Sequence, residues 1–345
     1  MEYVGRNCII NLEKIIHGNV LFFTQDPIFK IFSDIIKPQL KKVTVTFFTD
    51  ITDNPKKEEI QFAQNSIKSS DFDFIIAFGG GSVIDFSKAY RFYEKKNIPL
   101  IAIPTTAGTG SQATQFAVVY ENSVKTSLDD KSILPDIAIA DSLFVENAPV
   151  YLKACSAIDA YCQAIESYWA VNSTKKSQQY ALEAIKLCKE NIKNAVLTTN
   201  PVSNEKMVQA SHLAGKAINI SRTTAAHALS YKITSVYGIP HGHAVALSMV
   251  DLFNANLRVD NSTCTDPRGV LFVKKQMETL LSIITENKIS FENYWKNLMK
   301  DIHLEYDFEL LKIKNLDEIF KSVNVQRLSN NPKNITSDMI NFYKR

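Results

Sequence analysis

The stretch DFIIAFGGGSVIDFSKAY (73–90) decides the fold. Its first six residues form an apolar, β-branched and aromatic run of strand length. Its last eight repeat apolar residues at helical spacing. Gly79, Gly80, Gly81 and Ser82 join the two halves. Glycines at such a junction let the backbone approach a phosphate, and the helix N-terminus presents free N–H groups and positive dipole to it. The pattern is neither G-x-G-x-x-G nor a P-loop, and an ordinary strand-to-helix turn is the alternative. Asp85, one turn into the helix, is grouped with the loop as a cofactor-binding residue.

Upstream, residues 20–24 (VLFFT) and 43–48 (VTVTFF) read as strands, and 27–36 and 57–69 as helices. Downstream, the helix 82–95 leads to a strand at 99–103 and then to the loop PTTAGTGS (104–111), with one more strand at 137–140. Strands alternating with helices imply βαβ units and a parallel sheet covered on both faces. The hydroxyls of Thr105, Thr106 and Thr109 suit a cofactor lying across the carboxyl edge of that sheet. Two such loops one strand apart favour nucleotide binding.

Beyond about residue 141 the periodicity is helical throughout, over 154–170, 175–198, 205–219, 223–237, 243–256, 270–287 and 291–300. The expected organisation is an α/β domain at 1–145 and an all-helical domain at 146–345, packed around a cleft. Asp159 and Gln163 lie four apart on one helix face. His227 and His241 lie fourteen apart. On one straight helix that is about 21 Å, too far for a single ion. Gly238 and Pro240 break the helix between them, so the second imidazole can return. One carboxylate, one amide oxygen and two imidazoles would suit Zn²⁺ or Fe²⁺. Unrelated surface polars fit the spacing as well.

The balance of 45% hydrophobic and 22% charged residues is that of a globular protein, and a net charge of +3 gives no footprint for nucleic acid. No apolar run is long enough to span a membrane, and residues 1–12 do not read as a signal peptide. Five scattered cysteines without a Cys-x-x-Cys pair fit reduced thiols and a cytoplasmic setting.

Four motifs together, GGGSVIDFSKA (79–89), IPTTAGTGSQAT (103–114), SAIDAYCQAIES (156–167) and AAHALSYKITSVYGIPHGHAVAL (225–247), resemble the iron-containing, group III alcohol dehydrogenases. The resemblance implies a dehydroquinate synthase-like fold, with a Rossmann-like parallel-sheet domain followed by an all-helical one. It implies that the first loop holds the cofactor pyrophosphate and that the second contacts phosphate and nicotinamide. Asp159, His227 and His241 fall on the family's metal-ligand positions, and Gln163 stands where a histidine is usual. Tyr231 replaces a further histidine near the nicotinamide, and Gln112 a common glutamate. Gln25 falls about where NAD-preferring relatives carry an acid, which makes NADPH acceptable, while Asp26 keeps NADH open.

Within the family the motifs look closest to the phosphonoacetaldehyde reductase branch. That branch implies reduction of phosphonoacetaldehyde to 2-hydroxyethylphosphonate in phosphonate biosynthesis, by hydride from NAD(P)H to a carbonyl polarised by the metal. His243 and Tyr231 are the candidate proton donors, beside water and a cofactor hydroxyl. Arg222, with the donors of the helix start that follows it, is the candidate grip on a small anionic aldehyde. A homodimer is the expected assembly. The competing readings are a general short-chain alcohol or polyol-phosphate dehydrogenase, a same-fold lyase, and a non-catalytic nucleotide-binding protein.

Overall fold

The apolar runs of the first half pair as strands because both of their faces are covered. In the computed structural model, which describes residues 1–67, 71–121, 124–286, 288–314, 319, 323, 328–336 and 339, six strands form one parallel sheet. They are β1 (Glu2–Gly5), β2 (Asn19–Phe23), β3 (Thr44–Phe48), β4 (Phe74–Gly79), β5 (Leu100–Pro104) and, after a hairpin of β6 (Phe116–Glu121) and β7 (Val124–Asp129), β8 (Ile137–Asp141). The spatial order is β1-β8-β5-β4-β2-β3.

Successive side chains leave the sheet on opposite faces. Leu21, Phe23, Ile75, Ala77, Leu100 and Ala102 enter one core, while Val20, Phe22, Ile76, Phe78, Ile101 and Ile103 enter the other. The helices of this half are α1 (Leu12–Ile15), α2 (Asp26–Ile36), α3 (Lys57–Ser66) and α4 (Gly81–Glu94). Through Val83, Phe86 and Ala89, α4 closes the first core, and Ile36 of α2 joins the second. A sheet buried on both sides explains strands without polar alternation.

The sequence reading missed β1 and the antiparallel β6–β7 hairpin. β1 is four residues long and sits at an edge. β7 (VKTSLD) offers only two apolar residues, too faint a pattern for a strand. The helix expected over 57–69 ends at Ser66, and its positions 68 and 69 lie outside the described residues. Likewise the helix expected over 270–287 stops at Thr285, and position 287 is outside them.

The chain divides into two compact units, Met1–Ala148 and Pro149–Arg345. The second contains α5 (Val150–Trp169), α6 (Lys175–Leu197), α7 (Pro201–Ser221), α8 (Ala225–Tyr237), α9 (His241–Leu257), α10 (Val270–Thr285) and α11 (Phe291–Asp301). Among its described residues the only strand-like pairing is the isolated bridge Cys264–Lys333. α5 packs against α6, α7 and α9, and every residue from Ala157 to Trp169 is buried. A helix buried all round is apolar all round. The polar residues it does carry therefore stand out.

Candidate functional site

Three polar side chains, Asp159, Gln163 and Glu166, form a stripe on the buried α5 at i, i+4 and i+7. Two breaks in the chain bring the histidines to this stripe. α8 ends at Gly238, which adopts φ 68° in the left-handed region, and Pro240 starts α9 with His241 as its first residue. The ligand atoms of Asp159, His227 and His241 then all lie within 4.8 Å of one another. The two imidazoles meet edge to face at 5.3 Å between centroids.

Each of these side chains is held by its second polar atom. Gln163 Nε2 donates to Asp159 Oδ2 (3.0 Å), which points the amide oxygen away from the carboxylate. His227 Nδ1 donates to Glu166 Oε2, so its lone pair is on Nε2. Ser230 Oγ donates to the carbonyl of His227 (2.8 Å) and so receives the Nδ1–H of His241 (3.2 Å), leaving the His241 lone pair on Nε2.

Three buried acceptor atoms then have no hydrogen-bond partner among the described residues: Asp159 Oδ1, Gln163 Oε1 and His227 Nε2. His227 Nε2 and Asp159 Oδ1 are only 3.3 Å apart. Two lone pairs facing each other at that distance in a dry site require positive charge. The same demand shows in the protonation of His227: burial pulls its pKa down, but the Glu166 and Asp159 carboxylates raise it to about 9. The N₂O set of Asp159, His227 and His241 fits a divalent cation of the Zn²⁺ or Fe²⁺ type, and Gln163 Oε1 is a further unsatisfied oxygen on the same stripe.

Of the proposed proton donors, Tyr231 lies beside the centre, its ring parallel to that of His241 at 5.6 Å. His243 does not join the cluster. Its Nε2 donates to the Glu305 carbonyl (2.6 Å) and its Nδ1 accepts from the Tyr151 hydroxyl (3.1 Å), so both nitrogens are engaged and burial lowers its pKa. These contacts give His243 a structural hydrogen-bonding role.

Arg222 adopts φ 66° at the turn between α7 and α8, and its Nη1 donates to the Asn219 carbonyl (3.1 Å). Four of the donors expected beside it at the helix start are taken by one side chain. Glu166 Oε1 accepts from Thr224 Oγ1 (2.7 Å), Thr224 N (3.2 Å), Ala226 N (2.9 Å) and His227 N (3.4 Å). An internal carboxylate thus occupies this part of the helix start. The sequence reading overlooked Glu166, although its i+7 spacing from Asp159 on an apolar helix was the available signal.

In the first unit the two predicted loops meet at the carboxyl ends of β4 and β5, where Gly79 pairs with Pro104. The three glycines differ in purpose. A Cβ on Gly79 would lie 2.5 Å from Val83, and one on Gly81 would lie 3.0 Å from Thr109, so both serve close packing. A Cβ on Gly80 would meet only Thr106, at 3.8 Å. Gly80, at the N-terminus of α4, is therefore the glycine with space in front of it for a phosphate. Thr105 N bonds the Gly79 carbonyl (3.0 Å), which ties the second loop to the first.

Ser82 Oγ accepts from Asn54 N (3.3 Å). Gln25, at the end of the neighbouring β2, donates to the Ile51 carbonyl (3.0 Å) and to Asp53 (3.4 Å). The Asp85 carboxylate accepts from Ser111 Oγ (2.6 Å) and Val118 N (3.0 Å), so it braces the second loop from beneath. Lys88 completes that brace, donating to Ser111, Thr114 and the Phe116 carbonyl.

Comparison with known proteins identifies the family. Residues 2–142 match the iron-containing alcohol dehydrogenase model, and residues 153–345 match the C-terminal model of the same family. A probable alcohol dehydrogenase of Escherichia coli, EutG, is 31% identical over 239 residues, covering 64% of this chain and 60% of that protein. The phosphonoacetaldehyde reductase of Streptomyces viridochromogenes is 29% identical over 60% of this chain and 59% of its own length. These alignments thus span less than two thirds of each relative. Among solved structures, the sulfoacetaldehyde reductase of Bifidobacterium kashiwanohense in complex with NAD⁺ superposes with a TM-score of 0.86 at 24% identity, covering 99% of this chain and 94% of that one. The two family models between them span nearly the whole sequence, and the chain belongs to the iron-containing alcohol dehydrogenase family, whose divalent metal and nicotinamide dinucleotide fit the two sites described above.

Proposed function

We propose that this chain is a metal-dependent, NAD(P)H-linked alcohol dehydrogenase that acts as a reductase of small aldehydes in the cytoplasm. The observation that carries the reading is the set of three buried acceptors, Asp159 Oδ1, Gln163 Oε1 and His227 Nε2, with no donor to satisfy them among the described residues. A cation bound there supplies a Lewis acid for a carbonyl oxygen, and a bound dihydronicotinamide supplies the hydride.

The chain's own residues do the rest. Glu166 and Ser230 fix the imidazole tautomers, and Gln163 fixes the carboxylate. Gly80 leaves room for the pyrophosphate at the start of α4. Asp85 and Lys88 hold the second loop in place. Tyr231, stacked on a ligand ring, is the side chain we assign as proton donor.

For the substrate we favour phosphonoacetaldehyde, reduced to 2-hydroxyethylphosphonate. Two of the similar proteins are named for a two-carbon aldehyde bearing a tetrahedral anion, a phosphonate in one and a sulfonate in the other. Arg222 supports the same class, because strained backbone conformations gather at ligand clamps and a guanidinium binds such an anion through two parallel bonds. A general short-chain alcohol dehydrogenase is the second reading. Glu166 favours it, since the α8 donors that would have shared the anion are occupied.

The two readings separate in one comparison. Charge-assisted bonds contribute about 1.5–3 kcal/mol each, so a bidentate Arg222 should favour phosphonoacetaldehyde over acetaldehyde by roughly two to four orders of magnitude in kcat/KM. Arg222→Ala should remove most of that preference and leave acetaldehyde turnover intact. Equal kcat/KM for the two aldehydes in the wild type rejects the phosphonate and leaves the general dehydrogenase.

A further inference from the structure

Glu166 is fully buried, and both of its oxygens are used. Oε1 gathers the hydroxyl and N–H of Thr224 together with the N–H groups of Ala226 and His227. Thr224, the N-cap residue of α8, does not cap its own helix; its hydroxyl accepts from Trp169 Nε1 (2.9 Å) and donates to Glu166. A carboxylate from α5 thus takes the place of the missing cap and sits at the positive end of the α8 dipole. Capping alone, however, needs only Oε1. Oε2 is given entirely to Nδ1 of His227.

That second bond decides what His227 presents. A carboxylate can accept only from Nδ1–H, so in the neutral ring, the form that binds a metal, the lone pair is on Nε2, 3.3 Å from Asp159 Oδ1. A carboxylate hydrogen-bonded to the far nitrogen also makes the imidazole a stronger donor. Gln163, on the same helix one turn before Glu166, can offer only a neutral amide oxygen, a weaker ligand than an imidazole.

We propose that Glu166 is the positioning residue of the metal centre, which locks the His227 tautomer and strengthens that ligand to offset the weak donor at Gln163. This rests on the reading of Asp159, His227 and His241 as metal ligands. It also makes the site conditional on the docking of α8, because one carboxylate holds both the helix start and the ligand.

The test uses the full chain and Co²⁺ as the probe, followed by its visible d–d absorption. Glu166→Gln should bind Co²⁺ about 10- to 100-fold more weakly than wild type, with a shifted d–d band and unchanged far-ultraviolet dichroism. Thr224→Val, which removes the hydroxyl's bonds to Oε1 and to Trp169 Nε1 but leaves Oε2 on His227, should lower the Tm but keep Co²⁺ affinity within about threefold. Adding Gln163→His to Glu166→Gln should recover most of the lost affinity. A purely capping role predicts the reverse pattern, with both single variants less stable and Co²⁺ affinity unchanged, and that outcome overturns the proposal.

Should Glu166→Gln fail to fold, imidazole ¹⁵N spectra of the Zn²⁺-loaded wild type decide. A slowly exchanging Nδ1–H on His227 supports the proposal, and an Nε2–H tautomer rejects it. A wild type that takes up no Co²⁺ or Zn²⁺ defeats the metal reading itself, whereas a wild type that binds Co²⁺ with Glu166→Gln indistinguishable from it defeats only the role of Glu166.

Discussion

A Cβ on Gly242 would lie 2.0 Å from the carbonyl oxygen of Cys155 and 2.7 Å from the Cβ of Asp159. Here α9 touches the backbone of α5, and the absence of a side chain allows His241 to come within reach of Asp159. Backbone cannot yield as a flexible side chain does, so Gly242→Ala must push α9 outward. The expected result is a loss of about 1–3 kcal/mol in unfolding free energy and about an order of magnitude in Co²⁺ affinity. Urea unfolding and a Co²⁺ titration measure the two effects, and an alanine variant with wild-type metal affinity would show that this close approach does not set the site. Gly238 differs, since a Cβ there meets nothing within 4 Å and only its φ of 68° resists substitution.

At the scale of elements, α4 links the two nucleotide loops, and Lys88 is the charge buried in that link. Desolvation lowers its pKa from 10.5 to about 8, against an opposing pull from Asp85. The folded value lies below the unfolded one, so between pH 8 and 10.5 the unfolded chain holds a proton that the folded chain has released. Stability from this group therefore rises with pH across that window, by about 3 kcal/mol in all, and below pH 8 the burial cost is carried in full. Comparing wild type with Lys88→Met by denaturant unfolding at pH 8 and pH 10 isolates the group, because the other lysines and tyrosines titrate in both proteins. Identical pH slopes in the two would mean that Lys88 is not desolvated in the folded state. Strands β2, β3, β4, β5 and β8 and most helices were legible from periodicity alone, since an element's burial is written along its own residues. β7 was not, because a hairpin strand with two apolar residues has almost no pattern to read.

For the whole molecule, the prediction concerns which ligand orders which unit. Chelation should abolish most of the activity and, for a metal held at 100 to 1,000 times its Kd, remove about 3–4 kcal/mol of stability. Hydrogen exchange should quicken in α5, α8 and α9 and stay unchanged in β4 and α4, whereas added NADH should protect residues 79–82 and 105–111. Uniform exchange changes on chelation would contradict the assignment of metal to the second unit. By itself the sequence determined the parallel sheet, the glycine loop ahead of α4, the shared face of Asp159 and Gln163, and the break at Gly238 and Pro240 that returns His241. All of these follow from spacing within one element or from the backbone limits of glycine and proline. Only the tertiary structure decided that Asp85 braces a loop, that His243 is tied to Tyr151 and Glu305, and that Glu166 fills the start of α8. A side chain's partner depends on which faces of separate elements meet. That meeting is set by the packing of residues tens of positions apart, and periodicity along one element does not encode it.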